Sequence, residues 1–181
     1  MSRQIKKCIV GSTVILDKKG LSTLLIKHKK LNVWINPGGH LEGQEFPYDA
    51  AAREAMEETG TKVRIISAAG STIKIKETHA RTSALPLHIL EEKVVYSDST
   101  HTHLDFIYLS IANKTKTHRV GKEESKEIKW YKMEDMPRNL MFRNSIMVIE
   151  SAFKSYSSML ASRRSRRDPK SRVSPSPMHN A

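Results

Sequence analysis

At 181 residues and 38% hydrophobic content, the chain suits one domain with a modest core, followed by a tail. No stretch approaches the ~18 apolar residues of a membrane helix, and the single cysteine, Cys8, excludes an internal disulfide and fits a reducing, cytoplasmic setting. The net charge of +12 is uneven: residues 161–181 carry Arg163, Arg164, Arg166, Arg167, Lys170 and Arg172 against Asp168, or +5, leaving +7 on residues 1–160.

The basic start, Met1–Lys7, runs into a β-rich stretch with no small-residue cleavage site behind it, so it reads as a strand entry rather than a signal peptide. Cys8–Val10 and Thr13–Leu16 read as strand, and Asp17-Lys18-Lys19-Gly20 as a hairpin turn returning through Ser22–Lys27. Trp34-Ile35-Asn36 leads into Pro37-Gly38-Gly39. Pro47 fits the first turn of a helix, Ala50, Ala51, Ala52 and Ala55 continue it, and Gly60 is placed to end it. Thr61–Ile66, Ile73–Lys76, His88–Val95, Leu104–Ala112 and Lys126–Tyr131 read as strands, with a turn at Glu134–Pro137. Ile146, Ile149, Phe153, Tyr156 and Leu160 have helical spacing across Asn144–Leu160. Strands before, between and after two helices predict an α/β fold, a mixed sheet covered by helices on both faces. Residues 1–160 form the expected domain. Residues 161–181, rich in Arg, Ser and Pro, are expected to be a disordered basic tail. Such a tail can grip RNA through phosphate charge, but it has no aromatic residue for stacking, which favours a solvated terminus.

The chemistry concentrates in one stretch. Glu54, Glu57 and Glu58 stand at i, i+3 and i+4 and share one helical face. Unpaired, they repel one another. Clustered carboxylate oxygens suit a hard divalent cation such as Mg²⁺, which also bridges substrate phosphates.

The same stretch resembles the Nudix hydrolase family. Gly39, Glu45, Arg53, Glu54, Glu57, Glu58 and Gly60 fill every glycine and polar position of that family's box at the right spacing. Ala55 is a small aliphatic, and Thr61 departs from the usual final aliphatic. Glu124–Trp130 and Glu134–Pro137 look like the family's last strand and following turn, so the resemblance spans roughly residues 6–155. It implies an α/β/α sandwich and an Mg²⁺- or Mn²⁺-dependent hydrolase of a small nucleotide-like diphosphate. It also implies Glu54, Glu57 and Glu58 as metal ligands, joined by the backbone carbonyl of Gly38 or Gly39. Arg53 is expected to orient Glu57, and Glu45 to brace the loop against the helix. The general base is a box glutamate or, by position, Glu124, with Glu123 second. The alternatives are a non-catalytic nucleotide- or RNA-binding module, and an isoprenoid diphosphate isomerase, which needs a catalytic Cys with a Glu partner.

Substrate contacts are expected from Gly38, Gly39, His40, His103 and Asp105. Alternation along the 104–109 strand sends His103, Asp105 and Ile107 one way, toward a cleft whose other wall is the box helix. Leu104, Phe106 and Tyr108 then pack as core. Lys27, Lys29 and Lys30 are placed to attract phosphate or to be a solvated edge. Trp34 and Phe106 read as core, Cys8 as a buried strand residue, and His28 and His101 as structural or substrate-contacting residues rather than metal ligands. No set of His and Cys stands at a standard zinc spacing.

Overall fold

The first strand is the one on which the rest of the sheet is laid. The computed structural model describes residues 6–66, 75–95, 100–114 and 125–167. Its elements in chain order are β1 (Lys6–Asp17), β2 (Ser22–His28), β3 (Trp34–Ile35), β4 (Gly38–His40) and α1 (Pro47–Thr59). They continue with β5 (Arg64–Ile66), β6 (His88–Val95), β7 (Thr100–Ala112), β8 (Ser125–Lys132), a short 3-10 turn (Arg138–Leu140) and α2 (Arg143–Arg167). β1 pairs in parallel with β7 from Lys6↔His101 to Asp17↔Ala112. Its other edge is shared: β4 pairs with Val10–Ser12, and β2 with Ile15 and Leu16, both antiparallel. β3 and β8 extend the sheet from β2, while β5 and β6 pair with β7, giving one mixed eight-stranded sheet.

The alternating pattern of β1 and β7 divides the core between two faces. Val14, Leu16, Leu25, Ile107, Leu109 and Ile111 pack with Val148, Ile149, Ala152, Phe153 and Tyr156 of α2. Ile15, Leu24 and Ala112 pack with Ala55 of α1 on the other side. α1 lies almost on the strand: a Cβ at Gly11 would stand 2.1 Å from the Pro47 carbonyl oxygen and 3.0 Å from Ala50 Cβ. Only glycine permits that approach. Gly60 ends α1 in the left-handed region at φ 63°, its N–H bonded to the Met56 carbonyl.

The α/β/α expectation holds, and several boundaries move. The two strand pieces around Gly11 are one continuous strand. Gly38–His40 pairs with β1 instead of forming a loop. The Thr61–Ile66 strand is only Arg64–Ile66. Ile73 and Lys74 lie outside the described residues, and Lys76 makes an isolated bridge to Arg81. α2 continues through residues 161–167 of the expected tail, where Ala and Arg favour helix. Residues 168–181 lie outside the described set.

Asp17 closes the β1–β2 turn. Its Oδ1 accepts from the Lys19 and Leu21 N–H groups, and its Oδ2 from the Ser22 hydroxyl. Burial pushes the carboxyl up, but the bonds from Ser22, Leu21 and Lys19 outweigh it and hold its pKa below the usual value. Stability from a depressed carboxylate is present above the unfolded-state pKa and is lost as pH falls through the folded one. Asp17→Asn cannot accept from Ser22 with its amide nitrogen. It should cost about 1–2 kcal/mol at neutral pH, with the deficit shrinking in acid, as read by urea unfolding across pH.

Candidate functional site

The box residues meet where α1 crosses the β4 glycines. Glu54 and Glu58, one turn apart on α1, are 7% and 5% exposed. Glu57 projects outward with its side chain more than half exposed. A Cβ at Gly39 would stand 2.1 Å from Glu54 Oε1, so the strand backbone lies directly against that carboxylate. Glu58 Oε2 accepts the Gly38 N–H at 3.0 Å. The strand backbone and the two buried carboxylates thus lie directly against one another.

Arg53 ties the acids together. Its Nη1 reaches Glu54 Oε1 at 2.9 Å and Glu57 Oε2 at 2.8 Å. Its Nη2 donates to Glu45 Oε1 at 2.8 Å and to the His40 carbonyl at 3.0 Å, and its Nε donates to Glu45 Oε2 at 3.2 Å. These bonds, Glu45's foremost, push the guanidinium pKa further up. In turn the bond from Arg53 holds the Glu45 carboxyl below its usual value. Glu45 also accepts the Glu42 N–H at 2.8 Å, which joins the loop to the helix. Thr61, at the box's departing position, is buried and gives its hydroxyl to the Thr59 carbonyl, so its polarity is absorbed locally. Glu123 and Glu124 lie outside the described residues.

The alternation expected of β7 is present, but its orientation is reversed: the face of Phe106 and Tyr108, not that of His103 and Asp105, is turned to the box helix. His103, Asp105 and Ile107 do share a face, and Ile107 joins the α2 core. Tyr108 lies on the α1 face, its pKa pushed up to about 12 by burial and by Tyr48 and Asp49 of α1. The His103–Asp105 pair is therefore turned away from α1, because residues two apart on a strand share a face and neighbours do not. Both are buried rather than open to a cleft, at 8% and 7% exposure. Asp105 Oδ2 accepts the Ser12 hydroxyl at 2.8 Å, while Oδ1 is buried without a hydrogen-bond partner. Burial, against the Ser12 bond and aided by Glu92, raises the Asp105 pKa to about 7.

β4 joins the two faces. Gly39 is paired with Gly11 and faces α1, while His40 is paired with Val10 and points to the opposite side. There it meets His103, with ring centroids 5.0 Å apart, and His101, at 6.2 Å. Cys8 completes the group: one donor atom from each of Cys8, His40, His101 and His103 lies within 4.8 Å of the others. Sequence spacing missed this cluster because its members come from three strands, and only the parallel β1–β7 pairing sets Cys8 beside His103. Elsewhere, Trp34 is core, edge-on to Tyr131, and Phe106 is half-buried. Lys27 pairs with Glu127, and Lys29 and Lys30 are exposed. His28 accepts the Leu31 N–H in a turn.

Fold and site together define an α/β/α sandwich with a carboxylate centre at the junction of a glycine strand and a helix. The NUDIX domain family model matches residues 9–149, and the chain belongs to that family. A Bacillus subtilis (strain 168) protein named "Putative 8-oxo-dGTP diphosphatase" is 40% identical over 50 residues, which cover 28% of this chain. The match spans about a third of that relative's length, at 34%. A NUDIX-family hydrolase from Clostridium perfringens superposes with a TM-score of 0.65 at 25% identity, covering 83% of this chain and 98% of that one. A Caenorhabditis elegans Ap4A hydrolase shares the fold, with a TM-score of 0.57 at 17% identity over 86% of this chain and 98% of that one. No helix among the described residues is long and apolar enough to cross a membrane.

Replacing Arg53 by Met should leave Glu45, Glu54 and Glu57 without their shared cation. The expected cost is about 1–3 kcal/mol at pH 7. Because the Glu45 pKa is depressed, the contribution exists above its unfolded value and is lost as pH falls through the folded one. Chemical denaturation at pH 7 and pH 3.5 should therefore show a gap that closes in acid.

Proposed function

We propose that this chain is a divalent-metal-dependent hydrolase that cleaves the diphosphate bridge of a nucleoside-diphosphate-linked substrate. One observation carries the reading: Glu54 and Glu58 are held on one helical face against a strand backbone with no side chain at Gly39, and Glu57 is tied to Glu54 through Arg53. The donor set is all oxygen, which fits Mg²⁺ or Mn²⁺. Glu54, Glu57, Glu58 and the Gly39 carbonyl would hold the ion. When bound, it supplies neutralisation of phosphate charge and a lowered pKa for a coordinated water.

The chain's own residues do the rest. Arg53 fixes one oxygen each of Glu54 and Glu57, so those carboxylates need little reorganisation when substrate arrives. The Gly38 N–H fixes Glu58. The bare Gly38–Gly39 backbone lets β4 lie directly against Ser12 and the Glu54 carboxylate. The attacking water's proton goes to Glu57 or to Glu124. The pH–rate profiles of Glu57→Gln and Glu124→Gln separate the two, since loss of the base removes the acidic limb.

The binding-module alternative is disfavoured by the complete and mutually braced acid set. The isomerase alternative needs a Cys–Glu pair, whereas Cys8 lies among imidazoles. Substrate choice among oxidised nucleotides, dinucleoside polyphosphates, nucleotide sugars and capped RNA calls for a product-identified screen with Mg²⁺ and Mn²⁺. Glu57→Gln or Glu58→Gln should lower kcat by about 10²-fold or more. Gly39→Ala should lose activity comparably while keeping the native circular dichroism, because its methyl group displaces the Glu54 carboxylate. Full turnover in EDTA would end this reading.

A further inference from the structure

We infer that Cys8, His40, His101 and His103 form a second metal site, built for a divalent cation of the zinc class and separate from the box carboxylates. The donor set is one thiol and three imidazoles, contributed by the adjacent strands β4, β1 and β7. Such nitrogen and sulfur donors suit Zn²⁺ or Co²⁺ and suit Mg²⁺ poorly.

The geometry is convergent. β4 and β7 flank the N-terminal half of β1 on opposite edges, so two strand spacings, about 9–10 Å, separate their backbones. Yet the His40 and His103 ring centroids are 5.0 Å apart, and His101 and His103 are 6.0 Å apart. The rings lean inward over β1, where Cys8 is the directly paired neighbour of His103. In a tetrahedral zinc site with bonds of about 2.0–2.3 Å, neighbouring donor atoms lie about 3.3–3.8 Å apart. The present ceiling of 4.8 Å closes to that range by side-chain rotations of about 1 Å.

A second observation points to a ligand. His103 is 8% exposed, and its Nε2 is buried with no hydrogen-bond partner. A buried polar nitrogen left unsatisfied is costly, and a metal bond is one way to satisfy it. His40 is exposed and Cys8 is half-buried, so the cluster opens to solvent on one side. This role replaces substrate contact as the function of His40 and His103. A bound cation would staple β1, β4 and β7 together, and with them the strand whose Gly38 and Gly39 abut Glu58 and Glu54 on the opposite face.

The test uses the full, reduced chain in saturating Mg²⁺, titrated with Co²⁺ and, in parallel, with Zn²⁺. The expected result is one Co²⁺ per chain with a thiolate-to-cobalt charge-transfer band and the strong visible absorption of tetrahedral coordination. Zn²⁺ should displace it and raise the thermal midpoint by several degrees. Cys8→Ser should abolish the charge-transfer band, and His40→Gln should weaken Zn²⁺ binding by about 10²-fold or more. Both replace groups that reach the surface, so neither depends on the folding of a His103 variant. The Glu54/Glu57/Glu58→Gln triple variant should keep the full signal. Absence of the band in the native chain, native Zn²⁺ affinity in Cys8→Ser, or loss of the signal in the triple variant would each overturn the assignment. None of these readouts requires turnover, so the proposed hydrolysis stands or falls separately.

Discussion

One guanidinium holds the centre together. Glu54 and Glu57 on the face of a short helix, with Glu45 in the loop before it, would repel one another, and Arg53 converts that repulsion into a braced array. Its planar fork is suited to this, since it offers several donors in fixed directions where an ammonium offers a single point charge. The same group bonds the His40 carbonyl, so loop, strand and helix are indexed to one another through one side chain. The positions of Gly38 and Gly39 relative to the helix follow from this hub and from the Glu58 bond to the strand.

The second organising feature is the missing side chain. Gly11 brings α1 onto β1, and Gly39 brings the strand onto Glu54. Both glycines point to the same face of the sheet, and both contacts are closer than a methyl group permits. The opposite face is built differently. There the polar end of β7, at His101, His103 and Asp105, continues directly into Ile107, Leu109 and Ile111 beneath α2. A single strand thus supplies chemistry at one end and core at the other without changing register.

Local chemistry was legible in the sequence wherever the interacting residues are close along the chain. The Arg53–Glu57 pair, the Pro47 and Gly60 helix limits and the buried face of α2 all follow from helical period or from cap preference. The class of fold followed from the order of strands and helices. What could not be read was pairing between distant strands. Nothing near Cys8 announces that residue 103 lies beside it, and the hydrophobic pattern of β7 does not say which face α1 covers. Gly38–His40 was hidden for a related reason: three residues with two glycines carry no strand propensity, and pairing with β1 alone makes them a strand.

β4 is three residues long, yet successive positions serve opposite sides of the sheet. Gly39 must be bare because Glu54 lies against it, and His40 must carry a ring because Cys8 and His103 lie on its other side. The strand therefore has no tolerance for a shift in phase. One residue gained before Gly38 would leave a glycine over the thiol, and one lost would turn the imidazole toward the carboxylates, so either change disturbs a centre. Length variation has to be absorbed downstream, in the exposed stretch around Gly43, where a Cβ would meet nothing within 4 Å. Two unrelated chemistries are thereby tied to the phase of one short strand.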